Sequence, residues 1–206
     1  MDKFLIRYIS LLLTVITLIV NTGCDEKVQH SDQYDRDSVM IKFKQFIKKF
    51  KPLTFPYVAN TDCFQPDSNL SVLLDMDNDS IFINYVGPGA SIGMLPDTSQ
   101  YFEILYCTAA SCYIVNLAVY TKEGKLISSL PISEGCGAGE GYECEETLKM
   151  ESPQNITVVR KKEQYSPDSL GNKIPGTDEN TIYISKYWID KNGIIKVKKE
   201  QKSEKK

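Results

Sequence analysis

The period of the hydrophobic positions changes along the chain. Leu11 to Val20 reads LLLTVITLIV, an uncharged run of ten residues behind Lys3 and Arg7. From Ser38 to Lys51, Val39, Met40, Phe43, Phe46, Ile47 and Phe50 recur at helical spacing with lysines between them, which predicts one amphipathic helix. Asp37 or Ser38 can accept hydrogen bonds from its first free N–H groups, and Pro52 stops it. A basic amphipathic helix can lie on a membrane, but packing on a sheet is the commoner use of such a face and is the expectation here.

After Pro56 short runs rich in Val, Ile, Tyr and Thr alternate with turn clusters, which predicts strands. The expected strands are Leu70 to Met76, Ser80 to Val86, Phe102 to Ala109, Cys112 to Thr121, Lys125 to Ile132, Tyr142 to Met150, Ile156 to Glu163, Thr181 to Asp190 and Ile194 to Lys198. Strand 142–150 alternates, with Glu143, Glu145, Thr147 and Lys149 on one wet face. Strand 112–121 is apolar on both faces and should be central. Lys122-Glu123-Gly124-Lys125 and Asp190-Lys191-Asn192-Gly193 place Gly where a tight hairpin needs positive φ. Short connections make neighbours antiparallel. The fold class expected is mainly β, α+β at the margin, with one N-terminal helix packed on an antiparallel β-meander sheet or partly open barrel.

The first run and its flanks set an address. Lys3 and Arg7 followed by Leu11–Val20 make the n-region and h-region of an export signal. The uncharged stretch from Tyr8 to Cys24 is 17 residues and ends Asn-Thr-Gly-Cys, so it reads as a cleaved signal over 1–23 rather than a membrane span. Val20-Asn21-Thr22-Gly23-Cys24 resembles the bacterial lipobox, departing from it at Asn21, where that pattern usually has Leu. The resemblance implies a lipid on Cys24 and the bilayer as a partner through it. From Asp25 to Asp37 five acids meet two bases without apolar period, which reads as a solvated tether over 24–37. Acids directly after the cysteine resemble the surface-export signal of Bacteroidetes lipoproteins.

Ala118–Ile132 and Tyr187–Gly193 are also similar to uncharacterised Bacteroidetes lipoproteins, in which a Lys-rich helix precedes a β-meander whose last hairpin carries an Asp-x-x-Gly turn. That resemblance covers most of residues 38–199 and implies a fold and an address: the cell envelope, on the outer membrane, with the domain at the surface. It brings no activity. Residues 38–199 are then one domain, and 200–206 a basic disordered tail.

Without residues 1–23, Lys+Arg falls from 24 to 22 and Asp+Glu from 27 to 26, a formal charge of −4, which argues against nucleic acid as a partner. With Cys24 lipidated, Cys63, Cys107, Cys112, Cys136 and Cys144 remain, an odd number in an oxidising compartment. Cys107 and Cys112 flank a short Thr-Ala-Ala-Ser loop, and Cys136 and Cys144 a Gly/Glu loop. The expected pairs are 107 with 112 and 136 with 144, leaving Cys63 as a buried thiol, although spacing alone does not fix connectivity.

His30, in the tether, is the only histidine, so Ser-His-Asp, Cys-His and His-Glu-x-x-His sets cannot be assembled in the domain. Paired carboxylates remain available, but nothing in the sequence singles out two. Asp75, Asp77 and Asp79 alternate as in a calcium loop, yet Ser80 replaces the turn Gly and Val86 the closing Glu, so a turn held by local Asp and Asn hydrogen bonds competes with the cation. Gly87–Gly93 and Gly135–Gly141 match no phosphate-binding pattern and read as flexible loops. Glu140, Tyr142, Glu143 and Glu145 form an acidic candidate contact surface. Trp188 and Tyr187 can stack on a sugar ring, but a strand Trp is more often core.

The expectation is therefore an anchored, non-catalytic binding module for a protein or glycan, with no cofactor. An inhibitor or immunity-type protein and a carboxylate-dependent hydrolase are the alternatives. An exposed aromatic platform would favour a glycan, a flat acidic patch a protein partner, and a cleft with a raised-pKa carboxylate the enzyme.

Overall fold

The computed structural model describes residues 26–61, 71–75, 77–83, 87–109 and 113–204, with side chains described from Asp37. Cys24, the signal, Cys63, Cys112 and Val86 lie outside the described residues. Two compact units meet between Lys42 and Phe43. Helix α1, Glu26–Ile47, is continuous through residues expected to be tether. It ends four residues short of Lys51, in a tightened turn where Lys49 N–H donates to Phe46 O and Phe50 N–H to Ile47 O. Among the described residues no helix is long and apolar enough to cross a membrane.

The second unit is mainly β, with two antiparallel sheets and no closed barrel. The first sheet is a five-stranded meander of β2 (Leu73–Leu74), β3 (Gly89–Met94), β4 (Phe102–Ala109), β5 (Tyr113–Tyr120) and β6 (Leu126–Pro131). The second runs in the order β1 (Tyr57–Asn60), β8 (Tyr142–Ser152), β9 (Asn155–Gln164), β10 (Glu179–Ile189), β11 (Ile195–Glu204), with β7 (Ala138–Gly139) paired to the start of β8.

Between the sheets lies one core, in which Leu105, Val115, Leu117 and Val119 meet Leu148, Met150, Ile156, Val158 and Tyr187. A second core covers the other face of the first sheet. There Phe43, Phe46, Ile47 and Phe50 pack with Phe82 and Ile83 on Ile104, Tyr106, Ala118 and Tyr120. Phe46 lies 5.0 Å from the Phe82 ring and 5.1 Å from that of Phe50. Each such ring, fully buried, contributes about 2–3 kcal/mol before its ordering cost. The β5–β6 hairpin turn touches this layer so closely that a Cβ at Gly124, which has φ +87°, would sit 2.5 Å from Phe43.

Several expectations are corrected. Ser80–Ile83 is a helical turn, α2, because Phe82 and Ile83 are both buried and so cannot alternate across a strand. Among the described residues of the expected strand Leu70–Met76, only Leu73–Leu74 is strand. Gly87–Gly93 is largely strand β3, and β1 and β7 were not expected. The last strand continues to Glu204, into the expected tail.

A hydroxyl links the sheets along one side: Ser128 Oγ donates to Gly193 O at 2.8 Å and accepts from Ile195 N–H at 3.2 Å.

Candidate functional site

The carboxylates of Asp75, Asp77 and Asp79 do not converge. Asp79 is buried, and its Oδ2 accepts from Asp75 N–H at 2.6 Å and from Lys49 Nζ at 2.5 Å. Asp75 Oδ1 accepts from Asp77 N–H, and Oδ2 from the Asn78 amide at 2.6 Å, which holds the Asp75 carboxyl below its ordinary range. Among the described residues no group of three or more His, Cys, Asp or Glu side chains could share a metal ion. This is a self-bonded turn with a lysine as its counter-ion.

Cys136 and Cys144 form a disulfide, tying the loop after β6 to β8. Cys107, expected to pair with Cys112, is a free thiol standing opposite Val115 in β5, and Cys112 lies outside the described residues. Cys107 is the buried thiol, donating weakly to Ala90 O at 3.6 Å, and burial pushes its pKa up to about 11. The acidic contact surface is divided by strand alternation. Tyr142 points to the inner face of the second sheet, Glu143 and Glu145 to the outer face, and Glu140 lies in the preceding turn.

Strands β8 to β11 are 10 or 11 residues long, against 6 to 8 in β3 to β6, and part of their inner face extends past the apolar core. Here Glu146, fully buried, accepts from Thr61 Oγ1 at 2.8 Å and Arg160 Nε at 3.1 Å. Arg160 Nη1 reaches Glu134 at 2.5 Å, and this hydrogen bond holds the Glu134 carboxyl low. A cavity of about 500 Å³ lies beside the network, lined by Arg160, Lys162, Tyr183 and Lys199 among others. Since the guanidinium is shared by two carboxylates, this arrangement is satisfied within the protein.

The outer face of the same sheet differs. Register places Trp188 opposite Lys196 and Lys186 opposite Lys198, and the row through Lys186 continues across Thr157 to Lys149 and Val58. Trp188 is 40% exposed and Val58 61%. At about 4.8 Å per strand, Lys149 and Lys186 stand roughly 10 Å apart. Lys196 and Lys198 have Asp190 and Glu200 nearby, at 3.6 and 3.0 Å, whereas Lys149 and Lys186 form no ion pair among the described residues. The core expectation for Trp188 is thus reversed: Tyr187 takes the inward position, its hydroxyl donating to Ile132 O. The Lys186-x-Trp188 spacing carried that information.

A carboxyl that sequence did not single out lies at one end of the sandwich. Glu103, in β4, is 7% exposed and makes no side-chain hydrogen bond or ion pair among the described residues. It lines a pocket of about 260 Å³ with Asp97, Tyr101, Gln154, Asp190 and Lys191. Burial first, and the Asp97 charge second, push its pKa up to about 7. Asp97 is held low by Ser99 N–H at 3.0 Å. A lone charge inside the apolar run FEILYCTA was the available signal.

No protein-family model, no curated protein and no solved structure matches this chain, so its functional assignment stands on these residues.

Proposed function

We propose that the chain is a non-catalytic binding module of the cell envelope, anchored to the outer membrane through lipidated Cys24 and displayed at the cell surface, and that its ligand is an anionic polysaccharide. The observation that carries the ligand class is the exposed Trp188 ring set among Lys149, Lys186, Lys196 and Lys198 on one sheet face. An indole offers an apolar face to the C–H side of a sugar ring. Lysines at strand spacing offer mobile point charges to its carboxylates or sulfates, and such contacts weaken as salt screens them. The acidic positions Glu143 and Glu145 stand at the other end of that face, level with Asn180 and Ile182 rather than with Lys186, and Tyr142 is turned away from them, so they favour a protein partner less.

The test is retention of the purified domain on immobilised heparin, its desulfated form and neutral dextran across a salt series. Heparin-selective, salt-sensitive retention that drops about tenfold in Trp188→Ala supports the assignment, since one tenfold step is about 1.4 kcal/mol. Equal retention on dextran, or retention unchanged in the variant, overturns it. Carboxylate-dependent hydrolysis has one observation in its favour, the divergence of Glu103 and Asp97. Shortening of the polysaccharide that stops in Glu103→Gln would move the assignment there. The address is tested separately, by the mass of the N-terminal peptide from native membranes together with protease shaving of intact cells.

A further inference from the structure

We infer that the pocket at the end of the sandwich binds a primary ammonium group, with Glu103 as its buried anionic partner. Three elements build it: the start of β4, the β3–β4 loop bearing Asp97 and Tyr101, and the β10–β11 turn bearing Asp190 and Lys191, with Gln154 approaching from the β8–β9 turn. Tyr101 Oη donates to Lys191 O at 3.1 Å and joins two of these walls.

Glu103 is the member without a use inside the protein. Asp97 accepts from Ser99 N–H, and Asp190 accepts from Asn192 and Ile194 N–H at 2.9 and 3.0 Å, so both acids serve their own turns. Glu103 is more than nine-tenths buried, lines the pocket and accepts from nothing among the described residues. No buried side-chain oxygen among the described residues lacks a partner, so the Glu103 oxygens open to solvent in the pocket, where a ligand that donates to them takes the place of water.

Charge selects the ligand. Lys122 acts on Asp97 and Lys196 lies 3.6 Å from Asp190, while Lys191 also lines the pocket, so Glu103 is the carboxyl left without a lysine of its own and a cation is favoured beside it. A metal ion would need several oxygens converging, and no such group exists among the described residues. An ammonium needs less: one anion for charge and neighbouring acceptors, such as the Gln154 and Tyr101 oxygens, for its other N–H bonds. The volume admits a short alkylamine or a single amino sugar. Because Glu103 holds its proton up to about pH 7, binding below that pH releases one proton as the carboxylate forms against the ammonium. None of this requires Trp188 or the anchor.

The experiment follows the Glu103 side-chain carboxyl by carbon NMR in the intact domain, titrated with pH in the presence of propylamine, 1-propanol or calcium chloride. The expected result is that millimolar propylamine lowers the titration midpoint of Glu103 by about one pH unit and saturates. Propanol and calcium leave it in place, and calorimetry below pH 7 records proton release that vanishes in Glu103→Gln. An equal effect of propanol, an effect of calcium alone, or no saturable effect of propylamine on a folded domain would each overturn the assignment. A thermal melt of Glu103→Gln establishes that the variant is folded before its silence is interpreted.

Discussion

Strands β4 and β5 lie between two cores, whereas β9 and β10 lie on one, and the contrast is written into their side chains. In β4 every residue from Glu103 to Thr108 is buried, and β5 gives Val115, Leu117 and Val119 to one side and Ala118 and Tyr120 to the other. In β10 only Ser185, Tyr187 and Ile189 are buried, every second position. A sheet covered on both faces loses its alternation, and a sheet covered on one face keeps it. The half-covered sheet is therefore where side chains are free to meet a ligand, and the fully covered one is where a charge, such as Glu103, stands out.

That contrast can be tested by substitution. Phe46→Ala, in the layer over the first sheet, is expected to cost about 3–5 kcal/mol in chemical denaturation. Arg160→Met, which leaves the Glu146 carboxylate buried beside Thr61 without its cation, is expected to cost about 3 kcal/mol in the same assay. Replacing Cys136 and Cys144 together by serine opens an eight-residue loop and is expected to cost about 2 kcal/mol, visible as a lower melting temperature.

Glu103→Gln has the opposite sign. The folded carboxyl titrates at about 7 and the unfolded one near 4.5, so the folded chain keeps a proton that the unfolded chain has lost. The stability this confers is fully present below the lower value and is lost as pH rises through the higher one. The variant should be more stable than the parent by about 1–3 kcal/mol near pH 8 and close to equal near pH 4, by urea midpoints. Lys186→Ala and Lys149→Ala, on the open face, should each move stability by less than about 0.5 kcal/mol while reducing heparin retention. A large stability loss there would mean that the face is structural.

The sequence was most legible where the hydrophobic period was unbroken. Phe102–Ala109 was expected and found residue for residue, and β8, β9 and β10 were placed within a few residues, since their alternation is long. Legibility failed where tertiary packing decided. Gly89 and Gly93 suggested a loop, but they stand in β3 because a Cβ there would meet Cys107 O at 2.8 Å and Leu53 at 2.4 Å. The Ser80–Ile83 segment is rich in strand-forming Ile and Phe, yet the second core draws two adjacent residues to one side. The Cys136–Cys144 bridge was legible in its short loop, whereas Cys107, expected in a bridge, stands free in β4 opposite Val115, a register that spacing does not encode. Neither Trp188 nor Glu103 was read as a site, because exposure and isolation belong to the neighbours a residue acquires on folding.

Strand β11 ends the second sheet, and beyond its start nothing pairs with its outer edge among the described residues. A bare edge of ten residues is a template on which another copy could add itself strand by strand. Lys196, Lys198, Lys199 and Lys202 are all exposed along it, so two such edges brought together would place like charges side by side. Wherever copies of the chain are crowded together, that repulsion keeps their edges apart and leaves the Trp188 face clear.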